Sequence, residues 1–215
     1  MLVGDNSGIN EAICHQLVVS GAEVILYHPK SIDTIEEDME LIGSECGKVD
    51  GMAFGIVHSD FRPLQYVKPK IVEQITADNY GLFVELMRCL KKSKALNDGA
   101  SIVALSSISS TRAMKAKMAF CASKAALDAA VRCLAVELAP KGIRVNSLQK
   151  GAVDTDMEKS HIQDVMAVKS DDGDIKSPLG ITSAGEIANA VCFMLSDSIT
   201  TMTGTAVVID GGYTA

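Results

Sequence analysis

The chain has 215 residues, a formal net charge of −7 and 47% hydrophobic residues, enough for one full core and too apolar for a disordered chain. Its acidic balance, the absence of tryptophan and an aromatic content of 4% argue against a nucleic-acid surface or a base-stacking platform. No apolar run approaches the roughly 20 residues that span a bilayer, and no charged-then-apolar leader precedes the first element. The expectation is a cytoplasmic protein with neither nucleic acid nor membrane as partner.

In chain order, residues 1–3 read as the stub of a strand, followed by the turn "GDNSG" and an amphipathic helix over about 9–20 with Gly21 as its C-terminal cap. "AEVILYH" reads as a second strand. "SIDTIEEDMELIG" has a serine cap and acids in its first turns, which predicts a helix. "VDGMAFGIV" is a third strand, and residues 69–96 form one long helix. "ASIVALSS" is a fourth strand. A second long helix runs from Met118 to Pro140, and "IRVNSLQ" is a fifth strand. A looser segment over 151–180 precedes the helix "SAGEIANAVCFMLSD", and "GTAVVIDGG" closes the sheet. Short strands alternating with longer helices predict an α/β fold with a doubly wound parallel sheet, Rossmann-type, as a single domain over 1–215.

The six cysteines (Cys14, Cys46, Cys89, Cys121, Cys133, Cys192) contain no CxxC pair, and only Cys14 has a histidine, His15, beside it in the chain. They read as reduced, mostly buried thiols and not as a metal site or disulfide framework. The four histidines (His15, His28, His58, His161) show no paired spacing and read as surface or packing residues. No metal is expected.

"GDNSGIN", residues 4–10, lies between a strand and a helix. A glycine-rich turn there places backbone N–H groups and a helix N-terminus against a diphosphate, which makes Gly4, Asn6, Gly8 and Ile9 the candidate cofactor-binding residues. Together with "DNYG", "SIVALSSIS", "AFCASKAAL", "GIRVNSL", "GAVDTDM" and "TGTAVVIDGG", in that order and spacing, the chain resembles the short-chain dehydrogenase/reductase family. More loosely, it resembles its 3-oxoacyl-reductase-like branch. The resemblance implies a serine, a tyrosine and a lysine at the reaction centre with a supporting asparagine, and NAD(P)H as the cofactor. Carried over by position, these are Ser107, Lys124 and Asn79. Phe120 stands at the tyrosine.

A benzyl ring fills the tyrosine's volume but has no proton to give, and general acid catalysis is worth about 10²–10⁴-fold. Further departures accumulate. Asn10 replaces the third glycine of the turn. Tyr27, His28 and Pro29 offer no clear ribose or phosphate partner at the end of the second strand. Phe54-Gly55-Ile56-Val57 replaces the family's Asn-Asn-Ala-Gly-type turn, and Lys150 replaces a proline. Between His28 and Val49 there is room for about one helix where the family has a helix, a strand and another helix, so one β-α unit is shortened or missing. The scaffold phrases remain intact.

These losses predict a pseudoenzyme with no bound cofactor, or only weak NAD(P) binding. It would act as a structural or regulatory subunit of a homo-oligomer, or of a hetero-oligomer with an active paralogue, through helices 71–96 and 119–138. The alternative is an NAD(P)-dependent oxidoreductase acting on a 3-oxoacyl thioester or a sugar-like ketone, with a non-tyrosine proton donor such as Lys124 or an ordered water. A third reading is a ligand sensor using the cleft near Ser107 and the 157–180 segment.

Overall fold

A computed structural model describes residues 1–155 and 177–215. Six strands form one parallel sheet: β1 (Leu2–Val3), β2 (Leu26–Tyr27), β3 (Val49–Phe54), β4 (Leu96–Ser107), β5 (Arg144–Lys150) and β6 (Ala206–Ile209), in the order β2-β1-β3-β4-β5-β6. The doubly wound α/β fold expected from the sequence is therefore present. It is shortened between β2 and β3, where the one helical stretch is a 3₁₀ turn leading into α2 (Ile35–Glu45).

Helices cover both faces, and this explains the composition of the central strands. Ile102, Val103, Ala104 and Leu105 of β4 are all buried, the continuous apolar run of a strand packed on two sides. On one face, α1 (Gly8–Val19) and α6 (Ala184–Leu195) enclose Ile13, Val103, Leu105, Leu148 and Val191. On the other, α2, α4 (Leu82–Lys92) and α5 (Met118–Leu138) enclose Met39, Phe54, Phe83, Leu90, Ile102 and Val131. The Phe54 and Phe83 rings meet there, with centroids 5.3 Å apart.

Local chemistry sets the helix ends. Gly21 takes a left-handed φ of 88°, and the N–H groups of Gly21 and Ala22 return to the carbonyls of Val18 and Leu17, closing α1. Ser183 and Glu186 form a reciprocal capping box at the start of α6. Arg144, buried on β5, donates to the Met194 and Ser196 carbonyls and ties the end of α6 to the sheet.

Three expectations are corrected. The single helix expected over 69–96 is α3 (Pro69–Thr76), a π-helical turn (Ala77–Gly81) and α4, ending at Lys92, after which β4 begins at Leu96. The strand expected over "AEVILYH" contracts to Leu26–Tyr27, because its ladder runs only along Leu2 and Val3. The thiols are not mostly buried: Cys89 is, Cys46 and Cys133 are exposed, and the other three are intermediate. His58, expected as a surface or packing residue, has a side chain 42% exposed and is paired with Asp78 at the wall of a cleft. Asp156, Met157 and His161, with most of the 151–180 segment, lie outside the described residues.

Candidate functional site

Parallel strands deliver their C-terminal ends to one edge of the sheet, where open α/β sheets bind ligands. Here β1 runs into the glycine turn, β3 into residues 55–59, β4 ends at Ser107 and β5 ends at Lys150. In register, Ser107 lies beside Lys150.

The π-helical turn supplies Asn79, which is fully buried. Its side chain accepts from the His58 N–H (2.7 Å) and donates to the His58 carbonyl (2.7 Å), so it clamps the backbone beyond β3. Its Nδ2 also donates to Ser123 Oγ at 2.9 Å, reaching α5 one residue before Lys124. Such π-turns recur at functional sites because they re-aim side chains within an otherwise regular helix.

Lys124 is completely buried, and its Nζ donates to the Leu105 carbonyl at 2.9 Å. Burial, reinforced by the charge of Lys150 and opposed by Asp128, lowers its pKa to about 7. The Phe120 ring is buried, with its centroid 6.0 Å from that ammonium. Ser107 is buried at the end of β4 and its Oγ accepts from the Ser109 N–H. Hydrogen bonds and ring contacts thus gather Asn79, Ser123, Phe120 and Lys124, with Lys124 anchored two residues before Ser107. Cys121, the neighbour of Phe120, is only partly buried.

The second candidate group, Gly4, Asn6, Gly8 and Ile9, sits apart at the end of β1. Gly4 (φ 153°) and Gly8 (φ 53°) adopt backbone conformations that favour glycine. Ile9 packs its side chain into the core, and Asn6 is exposed.

Two neighbours decide what this turn can hold. Asp5 lies inside it, and its carboxylate accepts from the Ser7 hydroxyl at 2.6 Å and from Asn10 Nδ2 at 3.0 Å. The Ser7 bond, then Asn10 and the nearby His28, hold the Asp5 carboxyl below its ordinary value against the effect of burial. Asn10 is buried and fills the gap between Gly4 and Gly55, and its Nδ2 also donates to the Gly55 carbonyl at 3.3 Å. A Cβ on Gly4 would fall 2.4 Å from Asn10 Nδ2, and one on Gly55 would fall 1.9 Å from its Oδ1. The amide therefore occupies room that two glycines leave open.

Between the ends of β2 and β3 lies a cleft of about 470 Å³, lined by His28, Pro29, Ile56, Val57, His58, Ser59, Asp78 and Leu82. His58 Nδ1 is 2.6 Å from Asp78 Oδ2, and Gln74 Nε2 donates to both oxygens of that carboxylate. Sequence reasoning missed Asp5, His58 and Asp78. An acid within a glycine turn was a visible signal for Asp5. Twenty residues separate His58 from Asp78, and only the position of Asp78 beside Asn79 in "DNYG" hinted at its place.

Residues 29–214 match the family model described as enoyl-(acyl carrier protein) reductase. The chain is 27% identical to a short chain dehydrogenase family protein from Francisella tularensis whose structure superposes with a TM-score of 0.85, over 99% of this chain and 97% of that one. The chain belongs to the short-chain dehydrogenase/reductase family. Among curated members, an L-xylulose reductase of Caenorhabditis elegans is 41% identical over 115 residues, 53% of this chain and 45% of that protein. The D-erythrulose reductase of Gallus gallus is 25% identical over 99% of this chain and 94% of its own length. Its relatives are thus oxidoreductases, and no helix among the described residues is long and apolar enough to cross a membrane.

Proposed function

We propose that this short-chain dehydrogenase/reductase is a non-catalytic member of its family, kept as a structural or regulatory subunit of an oligomer. The observation that carries the reading is Phe120, which stands where the family's motif has its tyrosine, buried beside Lys124 with no proton to donate. The residues of the family's cofactor site support it, because they do not fit a dinucleotide. A diphosphate in the glycine turn would meet the Asp5 carboxylate. Like unit charges about 4 Å apart cost about 1 kcal/mol in bulk water and about 4 kcal/mol near a protein surface. Ile56 and Val57 put branched side chains into the cleft where the family has small residues, and Lys124 is engaged by the Leu105 carbonyl.

The subunit role rests on the outer faces of α4 and α5, within the segments 71–96 and 119–138. Val84 and Val136 expose apolar surface there, Val136 at 77%, beside small residues that permit close helix approach. The partner is a second copy or an active paralogue.

A second reading, an oxidoreductase reducing a sugar-like ketone or a 3-oxoacyl thioester, is favoured by one observation. An ammonium with a pKa of about 7 can release a proton at neutral pH, which makes Lys124 the donor under that reading.

One preparation separates the two. Wild type and Phe120→Tyr are assayed for NAD(P)H turnover with ketone substrates, and the mass of each assembly is measured by light scattering, alone and mixed with an active paralogue. The expected result is no turnover by either protein, with a dimer or larger, or a mixed assembly. Turnover by wild type favours the second reading, and a monomer in every mixture removes the subunit role.

A further inference from the structure

The cleft between the ends of β2 and β3 lies where the family's cofactor site would be, and its residues carry a chemistry that the subunit role does not use. Its position is fixed from below: Asn79 grips both backbone polar groups of His58, so the imidazole is held at the cleft wall by a clamp independent of its own side chain. Asp78, adjacent to Asn79 in the π-helical turn, fixes the ring. Gln74, one turn earlier, fixes Asp78.

This arrangement has a definite polarity. An ionised carboxylate can only accept, so with the ring neutral the Nδ1 atom carries the hydrogen and donates it to Asp78. Nε2 is then left as a lone pair backed by the charge of Asp78. The His58 side chain is 42% exposed and that of Asp78 34%, so both remain accessible at the wall. Pro29, Ile56, Val57 and Leu82 supply apolar walls. A volume of about 470 Å³ lies within the range of about 300–1,000 Å³ for small-molecule sites.

We propose that this cleft binds a small organic cation, a primary ammonium on an apolar body. The ammonium donates to His58 Nε2 under the field of Asp78, and the body packs against the apolar wall. The Nε2 lone pair and the Asp78 carboxylate at the polar end select a donor with positive charge and disfavour an anion of the same shape. No bond is made or broken.

The probe is 1-naphthylmethylamine at pH 8 and about 0.15 M salt, with 1-naphthoate as its anionic counterpart, followed by calorimetry and by imidazole ¹⁵N NMR. The amine is expected to bind at least about tenfold more tightly than the carboxylate, a difference of about 1.4 kcal/mol, and to shift the His58 Nε2 resonance while Nδ1 stays protonated. Asp78→Asn should weaken the amine about tenfold or more. His58→Gln, whose backbone clamp by Asn79 survives the substitution, should do the same and keeps the test valid if Asp78→Asn fails to fold. Equal or tighter binding of the carboxylate overturns the proposal, as does absence of amine binding, or amine binding that neither variant changes.

Discussion

Replacing Lys124 by methionine is expected to stabilise the protein at neutral pH. The side chain is completely buried, and its nearest bonded partner is a neutral carbonyl. Folding lowers its pKa from 10.5 to about 7, chiefly through burial. Every tenfold loss of proton affinity corresponds to about 1.4 kcal/mol, so the penalty is of order 3–5 kcal/mol at and below pH 7. Methionine keeps an unbranched chain of similar reach. It leaves the Leu105 carbonyl without its donor, which costs about 1–3 kcal/mol. The expected net gain is about 2 kcal/mol, the middle of the range of about 0–4 kcal/mol that these two effects leave.

The sign with pH is equally specific. Between pH 7 and 10.5 the unfolded chain binds a proton at Lys124 that the folded chain does not, so this group makes wild type more stable as pH rises. Below pH 7 both states are protonated and the penalty is constant. Denaturant titrations should therefore show the variant's advantage level up to about pH 7 and shrinking toward pH 10. Parallel stability curves for the two proteins would contradict this account of Lys124.

Gly55→Ala is expected to be among the more damaging single-methyl additions in the protein. The new Cβ would lie 1.9 Å from Asn10 Oδ1 and 2.8 Å from its Cγ, closer than atoms can approach. Asn10 cannot swing away freely, because it is buried and tied to Asp5 and Gly55. Overpacking of this kind costs about 1–3 kcal/mol, or about 2–4 °C in Tm per kcal/mol for a chain of this size. The same methyl should be far better tolerated in an Asn10→Gly background, where the gap is empty. A double-mutant cycle by thermal melting then yields a coupling of about 1–3 kcal/mol. No coupling would mean that the amide does not occupy the gap between the two strand ends.

Much of the scaffold was legible in the sequence, because apolar runs and glycine turns alternate along it. Even the shortened unit before β3 could be counted between His28 and Val49. The π-helical turn could not: five residues without proline do not distinguish its period from that of an α-helix. What stabilises the turn is tertiary, the bonds from Asn79 to His58 and Ser123. Asn10 stood out in the sequence as the residue that replaces the third glycine of the turn. Its accommodation by Gly55, 45 residues away, depends on strand ends that become neighbours only on folding. The same holds for His58 and Asp78, whose pairing left no mark in spacing. Lys124 was placed by motif, but its bond to Leu105 and the repulsion from Lys150 come from packing.

The proposed non-catalytic role requires that the dinucleotide site be lost while the fold persists. Its most direct test is a titration of the purified protein with NADH and with NADPH, followed by nicotinamide fluorescence and calorimetry. Asp5 in the turn, Ile56 and Val57 in the cleft and the engaged Lys124 predict no binding up to millimolar cofactor. Micromolar binding of either cofactor would overturn the non-catalytic role and favour the oxidoreductase with Lys124 as its proton donor.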